Sequence, residues 1–226
     1  VGTSTVNLTG TGTLKAASEV EAFYNLTCAG STKITTLDAV DNEVKPLIKN
    51  TLTLGGGTLN KTGTNNAELV LTRGAASPGA TPLVLSNTTI GEGVNITFRP
   101  TTGIVNIAAG DYGAGIINAY AKVDNLTFKL ADSITAAGGF NAYADNSKTT
   151  ILDLNNKNLS VKYLTFGKGA NTGSVTLNAG SGAVTFTTTD GLTVANDGGS
   201  HTLNMGSSVW TILKDWKLYS GAGALI

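Results

Sequence analysis

The sequence predicts an all-β protein built as a parallel β-solenoid, and three features favour this fold class. Short segments in which apolar and polar residues alternate recur about every seven to eleven residues from Thr149 to Leu218. The stretches between them are rich in Gly, Asn, Asp, Ser and Thr, which is typical of short strands joined by tight turns. No amphipathic helical pattern separates the strands, so βαβ units are excluded and a sandwich, a barrel or a coiled solenoid remains.

Strands are expected from the first residues onward. Alternating apolar residues mark segments around Val6, Leu26 and Leu52, and the glycines at 55–57 follow the third segment. Between Arg73 and Gly115 the pattern loosens around three prolines, yet strands are still expected at 83–85, 94–98 and 104–107. The apolar pairs of the last third are Leu152 and Leu154, Leu159 and Val161, Leu164 and Phe166, Val175 and Leu177, Val184 and Phe186, Leu192 and Val194, and Leu203 and Met205.

The chain is expected to form one solenoid domain over residues 1–226, with a looser, loop-bearing middle at 73–115. About three strands fit into each 20 to 25 residues, which is the length of one coil in a parallel β-solenoid. We therefore expect roughly ten coils, and a rod on the order of 50 Å long at about 4.8 Å between strands. An antiparallel β-sandwich is the alternative, because hairpin turns use the same residues, although two-residue Asn-Gly and Asp-Gly turns are scarce here.

Four segments near the two ends of the chain share alternating apolar residues set among Asn, Thr, Gly and Ser: 23–27, 50–60, 152–161 and 206–211. They resemble the degenerate repeats of large bacterial surface and phage-fibre proteins of the right-handed parallel β-helix type. This resemblance implies an architecture and an extracellular setting, and it implies no reaction. The proline-bearing middle departs from the repeat pattern, so an inserted or differently shaped face is expected there.

Charge is scarce and balanced. Charged residues make up 13% of the 226 residues, and 15 basic side chains offset 15 acidic ones. We therefore expect no nucleic-acid partner and no attraction to anionic membranes. No apolar run is long enough for membrane insertion. A surface of turns and hydroxyl-bearing strands favours an extracellular, cell-surface or virion-surface location.

Both ends of the sequence resemble the interior of a repeat array, without a charged or helical cap. A solenoid with open ends exposes unpaired strand edges, which are a template for another chain. We therefore expect either self-association through the ends or a segment cut from a longer array. Head-to-tail contact that does not close would give an open fibre.

Residues that carry chemistry are few. Cys28 is the only cysteine and is expected to be a small buried hydrophobe. His201 is the only histidine, which excludes a His-rich metal site, and it is expected to be a solvated turn residue. No metal site and no cofactor are predicted. Stacked coils could bring Asp124 or Asp132 near Asp153 as a pair for glycoside cleavage, but turn and surface roles are expected for these carboxylates.

Seven Asn-x-Ser/Thr triplets are candidate glycosylation sites, and their asparagines are Asn7, Asn25, Asn60, Asn87, Asn95, Asn125 and Asn158. The rival explanation is that asparagine side chains stack and hydrogen-bond along the coils. Three aromatic residues near the end, Trp210, Trp216 and Tyr219, are candidates for contact with another subunit or with a glycan.

The function expected from these features is structural and non-enzymatic: a subunit of an extracellular filament or a segment of an adhesin stalk. The first alternative is a phage tail fibre or spike segment that binds a cell-surface glycan. The second is a polysaccharide-degrading enzyme with the same fold, which would require the scattered aspartates to converge in a groove.

Overall fold

The structure, a computed structural model, describes residues 3–15, 22–30, 34–38, 45–167, 172–194, 198–213 and 216–218. These residues form twenty-one β-strands and no helix, so the all-β prediction is confirmed. The strands belong to two sheets, one of sixteen strands and one of five.

The larger sheet consists of β1 (Thr5–Leu8), β2 (Gly12–Leu14), β3 (Ala22–Ala29), β4 (Ile34–Asp38), β5 (Leu47–Thr62), β6 (Ala67–Leu71), β7 (Leu83–Ile90), β8 (Val94–Phe98), β10 (Gly110–Asp111), β11 (Ile116–Ala121), β13 (Ile134–Ala136), β14 (Phe140–Ala144), β16 (Leu159–Phe166), β18 (Val184–Val194), β20 (Trp210–Thr211) and β21 (Trp216–Leu218). The smaller sheet consists of β9 (Ile104–Ile107), β12 (Leu126–Leu130), β15 (Thr149–Asp153), β17 (Ser174–Asn178) and β19 (Thr202–Asn204).

Every pair of these strands is parallel, which confirms the parallel β-solenoid and shows the sandwich alternative to be wrong. The larger sheet supplies two walls of the coil, because its long strands turn a corner. In β16, Leu159–Val161 pair with β13, whereas Leu164–Phe166 pair with β14. The register shifts between Val161 and Tyr163, where the strand bends. The smaller sheet forms the third wall.

The solenoid has about seven turns, so the prediction of ten coils is wrong. Side chains that hydrogen-bond to the neighbouring coil are 25 residues from their partners in the regular region, but the separation reaches 32 between Gly56 and Thr88. The link at 72–82, between β6 and β7, adds length to one coil without adding a turn. Seven turns at about 4.8 Å per strand give a stack about 30 Å long. The strands expected at 83–85, 94–98 and 104–107 are present in β7, β8 and β9.

The core is a column of apolar side chains that continues from coil to coil. In β12, Leu126, Phe128 and Leu130 are buried, whereas the residues between them are half-buried. Phe128 lies in register with Val105 on one neighbouring strand and Leu152 on the other. Each fully buried side chain of this kind contributes about 1.5–3 kcal/mol. Cys28 is 6% exposed within the same core, which confirms its role as a small buried hydrophobe.

Candidate functional site

A row of polar side chains crosses four neighbouring coils on β6, β8, β11 and β14. Asn141 Nδ2 donates to Asn118 Oδ1 at 2.9 Å, and Asn118 Nδ2 donates to Thr97 Oγ1 at 3.0 Å. Thr97 Oγ1 in turn donates to Glu68 Oε1 at 2.5 Å. Glu68 ends the row in an ion pair with Lys45, with Nζ and Oε2 3.4 Å apart. Thr97 and Asn118 are 0% and 6% exposed, so this chain of hydrogen bonds satisfies groups that water does not reach.

Asparagine rows recur elsewhere on the solenoid. Asn50 Nδ2 donates to Asn25 Oδ1 at 2.8 Å, and Asn25 Nδ2 donates to Thr5 Oγ1 at 3.1 Å. On the smaller sheet, Asn204 Nδ2 donates to Asn178 Oδ1 at 2.8 Å. An amide side chain both donates and accepts, so identical residues on successive coils can bond along the axis. Stacking of asparagines, one of the two explanations weighed for their abundance, is therefore present.

Replacing Asn118 by alanine should lower the free energy of unfolding by about 1–3 kcal/mol. The substitution removes the acceptor of Asn141 and the donor to Thr97 at a site with little access to water. Chemical denaturation followed by circular dichroism measures the change. Asn7→Ala is the matched control, because Asn7 is exposed on β1 and should change the stability by no more than about 0.5 kcal/mol. Equal effects of the two substitutions would contradict a stabilising role for the row.

A tyrosine pair flanks this row on β11 and β14. The rings of Tyr120 and Tyr143 lie 4.5 Å apart at 30°, and Tyr120 Oη donates to Asp145 Oδ1 at 2.5 Å. Burial raises the pKa of Tyr143 well above its usual range, and the negative charge of Glu68 raises it further. Sequence reasoning missed this pair, although Asn-Ala-Tyr-Ala occurs twice, at 118–121 and 141–144. The spacing of one coil between the two copies was the signal that places both tyrosines on one face.

The aspartates considered for catalysis accept hydrogen bonds from groups in the turns. Asp124 Oδ1 accepts from Thr149 Oγ1 at 2.7 Å and from its N–H at 2.8 Å, and these bonds hold the pKa of Asp124 below its usual range. The Ser133 N–H and the charge of Lys157 likewise lower the pKa of Asp132. Asp153 accepts from the Asn155 N–H at 2.8 Å. A proton donor for glycoside cleavage requires a raised pKa, which is the opposite direction from that of Asp124 and Asp132.

The contribution of Asp124 to stability should depend on pH. Because its pKa is lowered in the folded protein, the stabilisation is present above the ordinary carboxylate pKa of about 3.9 and is lost as the pH falls through the folded value. Asp124→Asn should therefore be less stable than the unchanged protein near pH 7, and the difference should close below about pH 4. Denaturation midpoints at the two pH values measure this. A difference in stability that persists in acid would contradict the lowered pKa of Asp124.

His201 differs from its prediction as a solvated turn residue. It is 2% exposed, and its Nδ1 accepts a hydrogen bond from the Val175 N–H at 3.3 Å. The residue precedes β19, so its side chain lies against the neighbouring coil and satisfies a backbone donor at the start of β17. The prediction was wrong because the glycine-rich local sequence carries no information about the coil packed beside it.

The seven sequon asparagines occupy different environments. Asn7, Asn87, Asn125 and Asn158 are exposed, whereas Asn25, Asn60 and Asn95 are half-buried. Asn25 belongs to a side-chain row, and Asn158 Oδ1 accepts from the Ala183 N–H at 2.9 Å on the next coil. Asn95 Oδ1 is buried without a hydrogen-bond partner. Glycosylation stays a prediction, and the exposed positions are its strongest candidates.

Of the three aromatic residues near the end, Trp210 is the one whose surroundings are described. Its ring packs 6.2 Å from that of Phe186, and its Nε1 donates to Ser208 Oγ at 2.7 Å. Trp210 is half-buried, next to Val209, which is 69% exposed. Trp216 begins β21, and Tyr219 lies outside the described residues. Contact with a subunit or a glycan stays a prediction for all three.

Comparisons with known proteins add nothing to the geometry described above. No family model, no curated protein and no solved structure matches this chain. In the described part of the chain, no group of three or more His, Cys, Asp or Glu side chains is placed to hold a metal ion. The same residues contain no helix of the length and hydrophobicity needed to span a membrane.

Proposed function

We propose that this chain is a non-enzymatic structural protein, a subunit of an extracellular filament or a segment of an adhesin stalk. The observation that carries the proposal is the continuity of parallel strand ladders and core columns through about seven turns. Each coil buries its apolar residues against the next one, so a stack of coils gains stability as it lengthens. Such a stack suits a spacer that holds two points apart.

Side-chain contacts between coils support the same function. Ion pairs join residues on neighbouring coils, among them Lys129 with Asp153, Lys157 with Asp132, and Lys162 with Asp190. In these three pairs the nitrogen–oxygen distances are 4.0, 3.5 and 3.4 Å. Surface pairs of this kind add little energy each, but together with the balanced charge of the chain they give a neutral surface that does not attract charged molecules. A stalk that is exposed to charged molecules outside the cell benefits from a surface that does not attract them.

Association with a second copy of the chain belongs to this proposal. The outermost strands of a solenoid can add another strand, and a head-to-tail contact would extend the ladders into a fibre. Sedimentation of the purified chain over a range of concentrations tests this part. Growth of the particles with concentration supports it, and a monomer throughout would limit the proposal to a stalk segment.

Immunogold electron microscopy on the source cells or particles tests the function itself. An antibody against the chain should label continuous filaments or stalks that project from a surface. Pre-adsorption of the antibody with the purified chain is the control and should abolish the label. Label confined to the cell interior would overturn the proposal.

The enzyme alternative has a separate test. The purified chain is incubated with a panel of polysaccharides, and new reducing ends are measured alongside an Asp153→Asn variant. We expect no cleavage by either protein. Cleavage that disappears in the variant would replace the structural function with an enzymatic one.

A further inference from the structure

A groove runs along one corner of the solenoid, where the turns enter β6, β8, β11 and β14. It has a volume of about 250 Å³, and its lining includes Asn66, Glu92, Ala114, Ala137, Gly138 and Tyr163. These residues come from five successive coils, because β6, β8, β11, β14 and β16 are neighbours in the sheet. At about 4.8 Å per strand, the groove extends on the order of 20 Å along the axis.

Glycine allows neighbouring coils to approach closely in the middle of this corner groove. A Cβ atom on Gly138 would lie 2.3 Å from the carbonyl oxygens of Ala114 and Gly115, so no side chain fits there. Gly139, with φ at +114°, leaves room for the ring of Tyr163, which a Cβ would meet at 2.5 Å. The ring of Tyr163 therefore closes one end of the groove and remains half-buried.

Hydrogen-bonding groups without a partner in the described part of the chain line the groove. Several asparagines elsewhere bond to the next coil, as Asn156 Oδ1 does with the Ser181 N–H at 3.1 Å. In the groove, the side chains of Asn66, Glu92 and Tyr163 have no hydrogen-bond or ion-pair partner among the described residues. An amide, a carboxylate and a phenol thus face the same elongated space without a partner from the protein.

These groups match the chemistry of a sugar chain. A pyranose ring presents an apolar face that packs on an aromatic ring, and its hydroxyls bond to carboxylate and amide groups. An extended peptide fits less well, because β8, β11 and β14 are paired on both edges and offer no free strand edge. Anionic polymers are disfavoured, because Lys162 is already paired with Asp190 at 3.4 Å and Glu92 is negative.

We propose that the corner groove binds a neutral oligosaccharide that lies along the solenoid axis across several coils. Tyr163 stacks on a sugar ring at one end, and Glu92 and Asn66 bond to hydroxyls at the other. This site is separate from the aromatic residues near the end of the chain. It also goes beyond the structural function, since a stalk can project from a surface whether or not the groove is occupied.

Binding of the full chain to an array of neutral oligosaccharides tests the site. The oligosaccharides have three to six units and are built from glucose, galactose, mannose and their N-acetylated amino forms. Ala137→Arg places a long side chain in the groove. Ala131→Arg is the matched control, because both alanines are exposed and flank the same short strand, β13. Glu92→Gln is a second variant at an exposed position, and it removes the charge while keeping the shape.

We expect the unchanged chain and Ala131→Arg to bind the same oligosaccharide, and Ala137→Arg and Glu92→Gln to bind it at least about tenfold more weakly. Circular dichroism of each variant verifies the fold. The proposal is overturned if the unchanged chain binds none of the sugars, or if Ala137→Arg and Ala131→Arg bind equally. Neither of those results affects the immunogold labelling of filaments. The structural function is therefore tested separately from the groove.

Discussion

Replacing Phe128 by alanine should lower the free energy of unfolding by about 3–5 kcal/mol. Phe128 is fully buried at the middle of β12 in the smaller sheet, between Val105 and Leu152 on the neighbouring coils. Truncation removes the ring from the apolar column and leaves a cavity that the paired strands on both sides cannot collapse. Guanidinium denaturation followed by circular dichroism measures the loss.

Hydrogen exchange of the backbone amides shows which coils lose stability in the Phe128 variant. Because the stability of a solenoid is approximately a sum of coil and interface contributions, β9, β12 and β15 should lose protection first, and distant coils should change least. Thr127→Ala is the matched control: Thr127 is the outward neighbour in the same strand and is half-buried. A Phe128 variant as stable as the control would show that the column does not hold these coils together.

The fold was largely predictable from the sequence because one physical pattern determines it. Alternation of apolar and polar residues fixes which side chains enter the core, as in Leu126, Phe128 and Leu130, and the absence of helical periodicity leaves strands as the only regular element. Parallel pairing was the preferred arrangement because hairpin turns are scarce. The number of coils was not predictable, since the link at 72–82 lengthens one coil and nothing local marks where a coil closes.

The candidate sites were less predictable, because they depend on which residues meet across coils. Asn118 and Asn141 are 23 residues apart, and their contact follows from a register that the local sequence does not reveal. His201 was assigned to solvent for the same reason. The corner groove depends on contacts between coils, since Gly138 packs against the backbone of the neighbouring coil, and a glycine in isolation also fits an ordinary turn.

Gly138→Ala should lower the free energy of unfolding by about 1–3 kcal/mol, the usual range for overpacking, and by more if the backbone cannot shift. The added Cβ would lie 2.3 Å from two backbone carbonyl oxygens of the neighbouring coil. The two coils must therefore move apart, and the hydrogen bonds between β11 and β14 must lengthen. Because the obstacle is backbone and not a flexible side chain, rotamer changes cannot relieve it.

The matched control for that substitution is Gly10→Ala, where a Cβ would meet nothing within 4 Å. There the change should be within about 0.5 kcal/mol in either direction, because the substitution restricts the unfolded chain without creating a clash. Denaturation midpoints compare the two variants, and exchange of the backbone amides of β11 and β14 locates the damage. A Gly138 variant as stable as the Gly10 variant would mean that neighbouring coils separate at little cost, and the close contact at this corner would then contribute nothing to the rigidity of the rod.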